Sequence, residues 1–314
     1  MKKFFLPVIV LFLALSASAQ ENFTFGEIWA YLSSGEESSL KASYPITDIG
    51  YFGADINWAG KLVNVPDRKK IKNFKGRVHL VAAQVSNRAV THFVLDPSLP
   101  FRDKLIDDIV KASANFDGVQ IDFELVPTSD RNNFYSFLSI LKKKLGKKTL
   151  SVAVSARIKY IDDAYEYEKI AAIVDRVIVM GYDEHWSSSA PGSVASLDWC
   201  KKTAEYALKT IPREKFVMGM PFYSRAWSNI NPAKAYKYSG LKKLTADKNI
   251  TQIEFKDGAP FFTYQETVNV TVFFEDSATA VLRFQIYSSM NIKNIAFWRL
   301  GQEDPAVWQA LKKQ

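Results

Sequence analysis

Residues 118–123 read Gly-Val-Gln-Ile-Asp-Phe, an alternation of apolar and polar side chains with the period of two that marks a strand. Seven other short runs rich in β-branched and apolar residues punctuate the chain, at 28–32, 46–52, 78–85, 150–155, 177–182, 216–220 and 295–298. Some are almost unbroken, as in Arg176-Val177-Ile178-Val179-Met180, the pattern of a parallel strand buried on both faces. Stretches of helical period lie between the runs. After the fourth run, Phe134, Phe137, Leu138, Leu141 and Leu145 fall on one helix face. Thr128 or Ser129 is placed to cap that helix, and Gly146 to end it. Eight such strands separated by helices predict an α/β chain folded as a (β/α)8 TIM barrel. An open doubly wound sheet would call for a glycine fingerprint that the sequence lacks. The seventh connection, about 228–276, is too long for a bare loop and predicts a small β-rich insertion. No linker divides residues 20–314, so one catalytic domain is expected.

The first residues change the expected location. Lys2 and Lys3 precede an apolar run from Phe4 to Leu15, and Ala17-Ser18-Ala19 offers a small-residue cleavage site. That run is shorter than the roughly 20 residues of a membrane span, so residues 1–19 read as a signal peptide. The expected product is secreted, periplasmic or held in the cell envelope, without a membrane anchor once the leader is removed, and monomeric. Whole-chain net charge is +8, and loss of Lys2 and Lys3 lowers it, which is too little to specify a polyanionic partner. The Lys142–Lys144 and Lys147-Lys148 clusters suit the C-terminal end of a helix, so a nucleic-acid role is not indicated. Cys200 stands alone and cannot form an intrachain disulfide. His79, His92 and His185 show no metal-ligand spacing, and no metal or cofactor is expected.

Chemistry concentrates on the fourth strand. Its alternation puts Gln120, Asp122 and Glu124 on one face and Val119, Ile121 and Phe123 on the other. The apolar set must meet the outer helices, so the polar set points into the barrel and climbs towards its C-terminal mouth. Two carboxylates confined there repel each other, and one should hold its proton at neutral pH. A neutral carboxylic acid at a barrel mouth can protonate a leaving oxygen.

The segment resembles the family 18 glycoside hydrolases, whose strand-four signature Asp-x-x-Asp-x-Asp-x-Glu is met by Asp117, Asp122 and Glu124. Position 120 departs, carrying Gln where Asp is common, and an amide there fits the spore-cortex and cell-wall subgroup. Three further motifs follow in order: Met180-Gly181-Tyr182-Asp183, the stretch from Gly219 to Trp227, and Trp298-Arg299-Leu300-Gly301-Gln302-Glu303-Asp304-Pro305. The third strand, Ala82-Ala83-Gln84-Val85, departs from the family's Ser-x-Gly-Gly.

The resemblance implies a secreted glycosidase cleaving β-1,4 bonds beside N-acetylglucosamine, in a chitin-like or peptidoglycan polysaccharide, by a substrate-assisted retaining route. Glu124, Asp122 and Tyr182 would be catalytic, as acid, orienter of the acetamido N–H and donor to its carbonyl. Asp183, Trp298, Tyr223, Arg225 and Gln120 would bind substrate, with Trp298 stacking under a sugar ring. Trp186 and Trp227 are weaker candidates of the same kind, and Asp117 is as well suited to capping a turn. With Gln120 unable to store a proton, Asp122 is expected to stay ionised and to raise the pKa of Glu124. The alternative is a non-catalytic, lectin-like barrel binding chitin or peptidoglycan.

Overall fold

The computed structural model describes residues 22–229, 233–265 and 269–313. The expected leader lies outside them. All eight expected strands are present: β1 (Glu27–Ser33), β2 (Asp48–Ile56), β3 (Arg77–Gln84), β4 (Gly118–Phe123), β5 (Thr149–Ser155), β6 (Arg176–Met180), β7 (Phe216–Pro221) and β8 (Asn294–Trp298). Each pairs in parallel with the next, and β8 pairs in parallel with β1, so the sheet closes. The outer helices are α1 (Arg88–Leu95), α2 (Arg102–Ala112), α3 (Arg131–Leu145), α4 (Tyr167–Ile173), α5 (Leu197–Thr210) and, after the insertion helix α6 (Tyr238–Asp247), α7 (Ser277–Ser289).

The β-rich insertion is an antiparallel sheet of five strands, Ser224–Ser228, Lys234–Tyr236, Glu254–Lys256, Ala259–Gln265 and Asn269–Phe273. It begins before residue 228, because its first strand already starts at Ser224, soon after β7 ends at Pro221. The sixth strand is shorter than expected. The Gly181 and Tyr182 amides donate to the Val179 and Met180 carbonyls two residues back, which turns the chain away from the ladder.

Helix α3 buries the five residues that its periodicity selects, and Gly146 ends it at φ +60°. Its start differs from expectation. Neither Thr128 nor Ser129 caps it; Thr128–Asp130 forms a 3-10 turn, and the buried Asp130 carboxylate receives Asn133 Nδ2 at 2.9 Å and faces His92 Nδ1 at 2.8 Å. Cys200 on α5 is fully buried, with Arg283 and Tyr287 of α7 as its polar neighbours, and burial pushes its thiol pKa up.

Two apolar layers result from strand alternation. Val119, Ile121 and Phe123 join the layer between sheet and helices, while Trp29, Tyr31, Val81, Ile178, Val217 and Ala296 fill the barrel. The N-terminal end of the barrel is shut by ions. Glu27 accepts from Arg77 Nη2 at 2.6 Å, from Arg176 Nη2 at 2.7 Å and from the Trp29 indole at 2.8 Å. Asp48, fully buried, accepts from Arg77 Nε at 2.7 Å and faces His79 Nε2 at 2.8 Å. The His79 ring stacks on Trp29 at 4.3 Å.

Burial opposes ionisation of Glu27, but the two guanidiniums and the indole outweigh it and hold its carboxyl at about 2 instead of 4.5. Glu27→Gln keeps the shape and removes the charge, and should cost about 2–3 kcal/mol at neutral pH, read from urea unfolding. A depressed pKa stabilises fully above the unfolded value and less as pH falls towards the folded one. The gap between the two proteins should therefore close between pH 4.5 and about 2. A gap constant across that window would assign the loss to packing.

Candidate active site

The C-terminal end of the barrel opens into a cleft of about 360 Å³. Strand β4 supplies its acids. Asp122 is buried inside the barrel with Oδ1 lacking a protein partner, and Glu124, two residues on, stands in the mouth. Backbone bonds hold Glu124 on both sides. Its N–H donates to the Gln84 carbonyl at 3.1 Å, and the Tyr165 hydroxyl donates to the Phe123 carbonyl at 2.6 Å while accepting from the Val126 N–H at 2.9 Å.

Strands β6 and β7 supply the facing wall. The turn after Met180 throws Asp183 to φ +60°, where its Oδ1 accepts from the Tyr223 hydroxyl and from Arg225 Nη2 at 2.7 Å. The Arg225 guanidinium lies 5.5 Å over the Tyr223 ring, and Tyr223 packs edge-on against Tyr182 at 6.2 Å. Trp298 ends β8, half-buried between Tyr31 at 5.2 Å and Phe52 at 5.0 Å, and lines the same cleft.

The two carboxyls on β4 both gain proton affinity. Burial, then the charge of Glu124, pushes Asp122 up to about 8. Burial, then the charge of Asp183, raises Glu124. This corrects the expectation that Asp122 stays ionised: no cation reaches it, and the neutral Gln120 beneath offers no charge to offset desolvation. Burial also raises Tyr182 well above the usual phenol range, so it remains a donor.

Of the expected residues, Glu124, Asp122, Tyr182, Asp183, Tyr223, Arg225 and Trp298 line one cleft. Gln120 does not. It is fully buried below the cleft, with Nε2 donating to Ser151 Oγ at 3.3 Å, because two residues along a strand is a whole layer deeper into the barrel. Trp227 packs edge-on against Phe273 within the insertion sheet, and Trp186 is exposed outside the cleft lining. Asp117 accepts the Val78 N–H at 2.8 Å, and His185 Nδ1 meets the Ser193 carbonyl at 2.8 Å; both brace backbone.

Sequence reading missed Tyr31, Phe52 and Gln302 as lining residues. Tyr31 and Phe52 could have been found from inward parity on β1 and β2, whereas Gln302 arrives through loop folding. The rest of the strand-eight motif is architectural. Arg299 pairs with Glu36, which also meets Lys237 at 2.9 Å, and Gly301 at φ +83° passes Ser39 where a Cβ would clash. No group of three His, Cys, Asp or Glu side chains among the described residues is placed to hold a metal ion.

Comparison with known proteins gives the family and the fold. The uncharacterized glycosylase YvbX of Bacillus subtilis is 28% identical over 271 residues, covering 81% of this chain and 78% of that protein. The cortical fragment-lytic enzyme of the same organism is 25% identical, covering 89% and 70%. In fold, the spore cortex-lytic enzyme SleL of Bacillus cereus superposes with a TM-score of 0.82 at 23% identity, covering 93% of this chain and 76% of that one. A chitinase from Chromobacterium violaceum gives 0.80 at 23% identity, covering 91% and 97%. The model of glycosyl hydrolases family 18 matches residues 62–303, a span that holds both β4 acids, the Asp183 cluster and Trp298. The chain belongs to glycosyl hydrolases family 18.

Proposed function

We propose that the protein hydrolyses β-1,4 bonds next to N-acetylglucosamine in an envelope glycan of the peptidoglycan type, outside the cytoplasm, with Glu124 as the acid. The observation that carries this reading is the pair Asp122 and Glu124, adjacent on one inward strand face and both raised in pKa, in a cleft lined by Trp298. Relatives named for lysis of spore cortex favour an envelope glycan over chitin.

Glu124 gives its proton to the glycosidic oxygen as the bond from that oxygen to the anomeric carbon breaks. The acetamido oxygen of the same sugar supplies the electron pair that closes a five-membered ring on the anomeric carbon. The acetamido N–H then needs an acceptor, and Asp122 becomes one when the single proton shared by the pair resides on Glu124. Tyr182 donates to the acetamido oxygen and holds it near the carbon it attacks. Water opens the ring from the face that the leaving group vacated and returns a proton to Glu124, so configuration is retained. Trp298 offers its face to the pyranose, and the Asp183, Tyr223 and Arg225 cluster presents fixed polar groups to its hydroxyls.

Glu124→Gln should cut turnover on an aryl chitobioside by about 10²–10⁴-fold while binding of the sugar survives. Hydrolysis near the wild-type rate would remove Glu124 from the role of acid. A substrate carrying glucosamine in place of N-acetylglucosamine at the central position should bind and resist cleavage. Equal cleavage of it would point to a nucleophile on the protein. Activity should also follow the shared proton: a raised pKa keeps the group protonated below about 8, so kcat/KM should fall as pH rises through that value. Carboxyl-carbon NMR should find Asp122 titrating near 8, and nearer its ordinary value in Glu124→Gln, where the neighbouring charge is gone.

A further inference from the structure

Glu124 sits where its strand has lost one neighbour. On the β3 side the ladder runs on to Phe123, opposite Gln84, and the Glu124 N–H donates to the Gln84 carbonyl at 3.1 Å. On the β5 side the ladder stops earlier, at Ile121 opposite Val152. Beyond that point the two strands part, and Ala153 of β5 lines the cleft. A trans peptide points its N–H and its carbonyl to opposite sides. The peptide from Phe123 to Glu124 therefore turns its N–H to β3 and its carbonyl to the side that β5 has left. A buried carbonyl there needs another partner.

A side chain fills the gap. The Tyr165 hydroxyl, from the segment between β5 and α4, donates to the Phe123 carbonyl at 2.6 Å and accepts from the Val126 N–H at 2.9 Å. One oxygen thus ties the residue before Glu124 to the second residue after it. The phenol is buried, and burial raises its pKa, so it keeps the proton that it donates. Its own placement is fixed as well. The ring stands edge-on to Phe134 of α3 at 6.0 Å, and the Tyr165 N–H donates to Asp163 Oδ1 at 2.7 Å. Both Asp163 oxygens accept from Arg157 Nη2, at 3.2 and 3.0 Å, and the buried Arg157 guanidinium lies 4.9 Å over the Tyr167 ring.

We infer that Tyr165 is a positioning residue for Glu124: its hydroxyl replaces the missing strand partner and aims the carboxyl that protonates the leaving oxygen. The inference rests on the reading of Glu124 as the acid. Proton transfer needs the carboxyl within hydrogen-bond reach of that oxygen, and a misplacement of about 1 Å can cost on the order of 10²-fold. Asp122 lies before the tied carbonyl and stays in the β3 ladder opposite Ala83, so the acceptor for the acetamido N–H keeps its place. Loss of the hydroxyl should therefore fall on proton transfer and spare the attack on the anomeric carbon.

Two aryl chitobiosides separate this role from a general loss of structure. Phenolate leaves well only when protonated, whereas dinitrophenolate leaves without a proton, and kcat/KM reports the bond-breaking step for both. Tyr165→Phe removes the hydroxyl and keeps the ring. We expect its kcat/KM to fall about tenfold or more on the phenyl substrate and about threefold at most on the dinitrophenyl one. Replacing Tyr165 with 4-aminophenylalanine restores a donor at the para position and should recover most of the loss. Asp163→Ala, at a partly exposed position, frees the Tyr165 N–H and should show the same contrast in smaller measure. Tyr167→Phe is the control. It removes a bond of the same kind on the same segment, to the Ser155 carbonyl at 2.6 Å, and should leave the ratio of the two substrates unchanged. An equal fall on both substrates, or no fall on either, in Tyr165→Phe would overturn the positioning role; Asp163→Ala decides in the same way if Tyr165→Phe does not fold. Glu124→Gln on the same substrates tells the two readings apart. If it shows the contrast and Tyr165→Phe does not, the positioning role fails alone. If Glu124→Gln lacks the contrast, the acid is misassigned and the positioning role falls with it.

Discussion

The parallel pairing of Glu27–Ser33 with Asp48–Ile56 turns a twisted sheet into a closed one, in register from Trp29 opposite Asp48 to Ser33 opposite Phe52. Closure removes sheet edges and creates an interior that water does not freely enter, so each inward polar group must find a partner or change its protonation. The same interior gives opposite answers at its two ends. At the closed end two guanidiniums hold Glu27 at about 2, and at the open end Asp122, with no cation beside it, rises to about 8. One end is thereby committed to stability, and the other is left with a proton to move. Breaking the closing pair would admit water to both and erase the difference.

The fold was legible because burial on both faces leaves few ways to write a parallel strand. Arg176-Val177-Ile178-Val179-Met180 could hardly be anything else, and α3 buried the five residues that its period selects. The cleft was legible through β4, where polar residues interrupt an apolar run at even spacing. Parity alone could not assign depth. Gln120 and Asp122 share a face, yet one is packed beneath the cleft and the other lines it. Nor could sequence give the ionisation of Asp122, which depends on no cation reaching it: Arg77 and Arg176 start their strands at the closed end and pair with Glu27.

The insertion is joined to the barrel by charge as well as by chain. Glu275, just after its last strand, pairs with Arg283 on α7, and the same guanidinium reaches the Ala195 carbonyl in the loop after β6. Lys237 and Arg299 converge on Glu36, which links the insertion, the β8 end and the loop after β1. These anchors fix the wall that carries Ala235 and Arg225 over the cleft. Preorganisation of this kind means that a binding sugar orders little protein, and its binding free energy is left for the bond being broken.

Cys200 carries a consequence of a different sort. Its thiol is sealed between α5 and α7, and burial disfavours the thiolate, the form that attacks disulfides and oxidants. With no second cysteine in the chain, the native state owes nothing to oxidative folding and offers nothing to glutathione. The molecule is therefore indifferent to the redox potential of its surroundings once folded, and vulnerable to crosslinking only while the two helices are apart.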